Sequence, residues 1–327
     1  MFLSVVNTIH LKEAKLADMR KNFFILMIVV SIAHATRAQD TTSLSKKDST
    51  DITQLLAQQM NTEQKDKTEY VYATFKTTRL VSGHSVETTK PGVMDLKVSH
   101  RFNPLNSGAY NFFGLDNATM RLGFDFGITN TLMVGVGRST FEKTFDAFFK
   151  VKILMQSTGK HRMPVTLDYV PTVALKTEKW ADPNQKHYFT SRMFYTHQLI
   201  IGRKFSEALS LQLMPSFIHR NEAARISDPN DIIAIGIGGR QKITKRTSFN
   251  VEYYYQLPGY KLPGSTNALS VGFDIETGGH VFQLHLTNSR GMTERQFISE
   301  NTGSWGNGDI LFGFNISRVF TISKKKR

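Results

Sequence analysis

The chain contains no cysteine. That excludes disulfides, thiolate metal sites, a cysteine nucleophile and a lipid-modified N-terminal cysteine, and it leaves the redox compartment open. Proline is scarce, nine in 327 residues, and no stretch approaches the roughly 18 consecutive apolar residues of a spanning helix. Acidic residues are the minority sign, 27 against 41 basic ones, for a net charge of +14. Only helices and closed barrels satisfy their backbone groups in lipid, so a membrane location for this chain requires a closed barrel.

What the chain does have is alternation. Met120, Leu122, Phe124, Phe126 and Ile128 alternate with Arg121, Gly123, Asp125 and Gly127. This period of two needs a strand with one apolar face and one face that carries charge. After Thr129 and Asn130 the chain returns through Leu132, Val134 and Val136, interleaved with Met133, Gly135 and Gly137, as an antiparallel hairpin. The design recurs. Twelve segments have the length of a tilted spanning strand: 93–102, 118–128, 131–140, 144–155, 164–175, 187–202, 208–219, 231–243, 247–256, 267–276, 280–288 and 309–321. The sixth and eighth alternate less cleanly than the rest.

Connection lengths give a second argument. The long connections 103–117, 176–186, 220–230, 257–266 and 289–308 fall on one side, with the short 141–143. The turns 129–130, 203–207, 244–246 and 277–279 fall on the other, with the moderate 156–163. Short turns on one side, long loops on the other and an even strand number describe an outer-membrane barrel. A soluble β-sandwich or lipocalin-like barrel also alternates, with its apolar face packed inward. Against it stand the strand number, 24 Phe and 10 Tyr, and charges set beside glycines on the polar face. The expected fold is an all-β, antiparallel, up-and-down transmembrane barrel of twelve strands. Tyr70 to Leu80 also has strand composition. It either does not span, or residues 70–90 add a hairpin and the barrel has fourteen strands.

The N-terminal region divides in two. Met19, Arg20 and Lys21 form a basic start, Phe23 to Ala33 a short apolar run, and Thr36, Arg37 and Ala38 a small-residue site before Gln39. This is the layout of a secretory signal peptide over residues 1–38, with Met19 as the true start. Removing it leaves 36 basic and 25 acidic residues, net +11. Residues 39–69 read as a disordered linker with a short helix at Ile52, Leu55 and Leu56, and 70–327 as the barrel domain. For an exported protein, the positive charge points to anionic lipid headgroups rather than nucleic acid.

With the apolar parity toward lipid, the lumen receives Lys97, Arg101, Arg121, Lys150, Lys152, Arg192 and Arg240 against Asp95, Asp125, Asp146, Asp168, Glu252, Asp274 and Glu276. The signs balance, but bases crowd the early strands while Glu252, Asp274 and Glu276 lie on the ninth and tenth. Two readings follow: a transverse field across a water-filled pore, or charges that pair and hold the barrel shut. The loop 289–308, with a helix-compatible piece from Met292 to Glu300, either enters the pore as a constriction or lies outside.

Motifs for chemistry are weak. His285, Asn288 and Ser289, with Ser270 on the preceding strand, have the residue types of a rim hydrolase, but no local signature fixes a nucleophile, so no catalytic residue is assigned. His280 and His285 are five apart and face opposite ways on a strand, which argues against joint metal ligation. Gly135 and Gly137, and Gly236, Gly238 and Gly239, complete no phosphate or dinucleotide loop, so neither cofactor nor metal is expected; glycines in strands make room for lumen side chains.

Three phrases carry a resemblance: Thr74-Phe75-Lys76; Gly278-Gly279-His280-Val281-Phe282-Gln283-Leu284-His285 with Thr287-Asn288-Ser289; and Gly313-Phe314-Asn315-Ile316-Ser317-Arg318-Val319-Phe320. They resemble a family of uncharacterised outer-membrane β-barrel proteins of Bacteroidota, over about residues 70–322. The resemblance implies the fold and an outer-membrane location, and brings no catalytic residues. The expected function is a passive channel or binding site for small polar or charged solutes. The alternatives are a scaffold barrel plugged by salt bridges and a lipid hydrolase at the rim. The expected partners are outer-membrane lipid, a small polar solute, the barrel-assembly machinery and an unidentified periplasmic partner for residues 39–80.

Overall fold

The computed structural model describes residues 67–180, 188–223, 225 and 227–323. The expected signal peptide, nearly all of the expected linker and the basic tail Lys324–Arg327 lie outside them. Twelve long strands among the described residues follow one another antiparallel: β1 (Val93–Pro104), β2 (Ala118–Gly127), β3 (Leu132–Ser139), β4 (Thr144–Leu154), β5 (Thr166–Lys176), β6 (Met193–Lys204), β7 (Leu209–Arg220), β8 (Asp231–Lys242), β9 (Thr247–Gln256), β10 (Ala268–Thr277), β11 (His280–Thr287) and β12 (Leu311–Thr321). β12 pairs back onto β1, with Ile316 opposite Val98 and Thr321 opposite Val93, so the sheet closes and leaves no edge strand. This is the expected twelve-strand barrel, and the fourteen-strand alternative is wrong.

The tightest turn joins β10 to β11 through Gly278 and Gly279; Gly278 takes φ +56°, a conformation that costs a glycine nothing and leaves the strands directly opposed. At one mouth, the turn end, the connections are mostly this short. The opposite mouth, the loop end, carries the long ones.

Outward positions are apolar. Phe145, Phe149, Leu199, Leu213, Ile237 and Phe273 all project from the wall and stay exposed. Cross-strand pairs such as Phe249 with Phe273, ring centroids 5.3 Å apart, tile this surface. An apolar band running round a closed barrel is far more than a water-soluble monomer exposes, and it suits a hydrocarbon environment.

Inward positions are buried, because the barrel is full. Glu69–Tyr70 pairs with Ser157–Thr158 in the β4–β5 connection at the turn end. From there the chain enters the lumen and doubles back as a hairpin over residues 74–89, then leaves by the same end to begin β1. Its turn is closed by the Arg79–His84 bridge and by Leu80 N–H donating to the Gly83 carbonyl at 2.8 Å. The strand composition of Tyr70 to Leu80 therefore serves a plug: beyond Tyr70 this stretch makes no ladder with the wall. From the loop end the β11–β12 connection also folds inward, and Arg295–Ser299 form a buried π-helical turn. Of the two placements the sequence left open for this loop, the inward one is found.

Candidate functional site

The site is the contact between the wall and the hairpin, and the wall holds the hairpin by its main chain. Glu252 on β9 accepts backbone N–H groups from Val81 (3.2 Å), Ser82 (3.2 Å) and Gly83 (3.0 Å). Opposite in sign and role, Lys150 on β4 donates to the carbonyls of Thr78 (3.2 Å), Ser85 (2.8 Å) and Glu87 (2.9 Å). Arg240 reaches the carbonyls of Ala73 and Thr74, and Gln283 those of Arg79 and Leu80. Asn315 donates to Val81 O and Gln212 to His84 O, both within 2.9 Å. An isolated hairpin has unpaired amides on both edges, and a dry lumen would leave them unsatisfied at about 1–3 kcal/mol each. Glu252 and Lys150 each satisfy three of these groups at once.

Small side chains allow this approach. A Cβ on Gly83 would lie 2.1 Å from the Tyr254 hydroxyl oxygen. On the wall, a Cβ at Gly238 would meet Leu80, and one at Gly202 would meet Val86, at 2.3 and 2.6 Å. The strand glycines do make room for interior side chains, including those of the plug. Around the polar clasp an apolar cluster of Phe75, Leu80 and Val86 packs against Met133, Phe148, Val170, Ile200, Met214, Ile218 and Ile232.

The two inward segments meet. Arg79 of the hairpin donates to Glu294 of the loop at 2.6 Å, with both side chains buried. His84 lies 3.4 Å from the same carboxylate and edge-on to Phe148. The loop is fastened at its own mouth: Arg295 pairs with Glu142 and, at 2.7 Å, with Glu300. Burial works to raise the Glu142 carboxyl, but the cations Arg295 and Lys176 outweigh it and hold it below its ordinary value. The gap at the hairpin tip, bordered by Ser82, Arg101, Arg121 and Asn315, measures about 10 Å³, room for a single water. Wider cavities of about 440 and 670 Å³ lie at the loop end, the larger lined by Lys176, Trp180, Arg192, Arg220, Arg295 and Glu300.

The residues expected in the lumen differ in their partners. Asp125, Lys150 and Glu252 touch the hairpin, Asp125 through Thr78 Oγ1 at 2.9 Å, and Arg101 reaches Ser82 Oγ. Lys97 pairs with Asp95 at 2.6 Å, Arg121 with Asp146, and Asp274 accepts from Gln283; all are buried. Asp168, fully buried, stands opposite Lys152 in the β4–β5 ladder, where Lys152 is half-exposed. Glu276, exposed at the turn end, pairs with Lys76. Arg192 lies in the 3-10 turn that precedes β6 and stacks on Trp180 at the loop end, 4.1 Å from the ring centroid. Most of these acids and bases pair with one another or bond the plug, whereas both carboxylate oxygens of Asp168 are buried without a hydrogen-bond partner.

The rim-hydrolase residues do not assemble into a relay. Ser270 donates to Thr287 Oγ1, Ser289 to Gly291 O, and Asn288 braces the backbone of Asn267, Leu269 and Gly303. Both ring nitrogens of His285 are buried without a hydrogen-bond partner.

What sequence reasoning missed is that residues 74–89 are ligands of the wall. The signal was present in β6 to β8, whose inward parity carries Ile200, Met214, Ile218 and Ile232. A strand apolar on both faces needs a packed interior, and the poor alternation of the sixth and eighth segments reflected it.

Residues 75–320 match the family model described as a membrane bound beta barrel domain, DUF5777. The chain belongs to that family. No curated protein matches it. Among solved structures, it is similar to the NanC porin (10% identity, TM-score 0.44, covering 71% of this chain and all of that one). It is likewise similar to the KdgM porin (10%, 0.42, covering 70% and 99%) and to an outer membrane channel from Pseudomonas putida F1 (12%, 0.43, covering 72% and 97%). The DUF5777 match begins at Phe75, so it includes the lumenal hairpin as well as the wall.

Proposed function

We propose that the protein is an outer-membrane channel for small polar or charged solutes that rests in a closed state, shut by its own N-terminal hairpin. The observation that carries this reading is the clasp of Glu252 and Lys150 on the hairpin backbone. A barrel meant only to be solid gains more from an apolar interior, since replacing buried ionic networks by well-packed apolar groups is often neutral or stabilising. Wall charges that bond a removable segment stay solvated when water replaces it. Family membership and the apolar outer band support the membrane setting; in the outer membrane the turn end faces the periplasm and the loop end faces outward.

Single-channel recording tests it. The full chain in a planar bilayer is expected to be almost silent, and Glu252→Gln, which weakens three backbone bonds, is expected to give discrete openings. A Glu252→Gln barrel that stays silent while its heat-dependent gel shift shows it folded overturns the channel reading and leaves the plugged scaffold.

A further inference from the structure

The wall's polar contacts recognise the hairpin chiefly through its main chain, and its apolar spaces take three hydrophobic side chains. Of the wall contacts to residues 72–87, those of Glu252, Lys150, Arg240, Gln283, Asn315 and Gln212 go to main-chain N–H or C=O groups. The polar side-chain contacts are fewer: Arg101 to Ser82, Asp125 to Thr78, and Lys76 to Glu276 and the Lys245 carbonyl. Phe75, Leu80 and Val86 add apolar packing against wall side chains, Leu80 over Gly238 and Val86 over Gly202. Main-chain recognition is indifferent to side-chain identity except where space forbids one, and here Tyr254 forbids a Cβ at Gly83. Both legs of the hairpin leave through the turn end, beside Glu69–Tyr70 and beside β1, so the segment is not threaded through the ring.

We propose that the lumen is a binding site for a hairpin of extended polypeptide, entered from the turn end and selective for a glycine at the tip and apolar side chains at the positions of Leu80 and Val86; the chain's own residues 74–89 are its resident ligand. This rests on the closed-channel reading only in that the hairpin can leave. Covalent attachment gives the hairpin an effective concentration in the millimolar range, which masks the site in the intact chain. A second peptide therefore competes only once that link is cut.

The test begins with the full chain carrying a protease site inserted between Lys90 and Pro91, both exposed at the turn end. The protein is folded into detergent, nicked and washed, and loss of the N-terminal fragment is followed by mass spectrometry. A fluorescent peptide of residues 67–90 is then titrated in. Saturable binding is expected, weakened at least tenfold in a nicked Glu252→Gln barrel and at least tenfold by Gly83→Ala in the peptide. Thr74→Ala in the peptide should change it less than threefold. A fragment that neither dissociates nor exchanges is core rather than ligand, and overturns the proposal. So does binding that Glu252→Gln leaves unchanged. Conductance of the same nicked, washed barrel is recorded separately: peptide binding with no conductance refutes the channel and keeps the peptide site, and conductance without peptide binding does the reverse.

Discussion

Single side chains decide whether the hairpin seats. Tyr254 is wholly buried, with its ring 5.2 Å from that of Phe297, so its hydroxyl cannot swing aside for a new methyl group on Gly83. Gly83→Ala in the intact protein therefore forces the tip away from Glu252. The expected cost is about 1–3 kcal/mol, as for other overpacked sites, seen as a lower unfolding temperature together with more frequent openings. A variant as stable and as quiet as the parent would show that the tip is not seated against Tyr254. These residues were hard to read from the chain because a glycine between serine and histidine signals a turn whether it lies in water or in a lumen. The charges were easier. Asp125, Lys150 and Glu252 could be placed inward by parity alone, but parity cannot say that their partner is a backbone, since any main chain offers the same groups.

At the scale of elements, the two plugs are held differently and give separable predictions. The hairpin lies against β6 so that a Cβ on Gly202 would stand 3.3 Å from the Val86 Cβ, near the 3.5–4.5 Å that a disulfide spans. The pair Val86→Cys and Gly202→Cys, in a protein with no cysteine of its own, should oxidise to one cross-link that abolishes openings in a Glu252→Gln background. Reductant should restore them. Openings that persist with the cross-link formed would mean that solute bypasses the hairpin. The loop plug instead depends on Glu142, whose carboxyl is ionised more easily folded than unfolded. Its contribution is thus complete above the ordinary value of 4.5 and is lost as pH falls through the lower folded value. Glu142→Gln should reduce stability at neutral pH by roughly 1–3 kcal/mol, and the difference in unfolding temperature from the parent should shrink below pH 4.5. A difference independent of pH would show that the Arg295 pair does not hold the loop. The wall elements were legible to within a few residues because a half-apolar strand has a period of two. The largest departure is at the sixth segment, where Phe189–Arg192 coil into a 3-10 turn before β6 begins.

For the whole molecule, the number of strands and the sidedness of their connections followed from alternation and loop length, both local quantities. The filling of the lumen did not, because it pairs residues about 170 positions apart, such as Gly83 with Glu252, and no period links them. The conductance experiment belongs to this scale, since silence or opening is a property of the closed ring with both plugs in place.

The return of both hairpin legs to one mouth has a consequence for assembly. The ring closes only when β12 meets β1, so the last long strand of the chain completes a wall whose first strand directly follows the hairpin. The nascent plug is thus tethered at the seam from the start, and the barrel can be built around it. Because nothing is threaded, seating the plug and sealing the seam need not happen in a fixed order, and neither step requires the other to be undone.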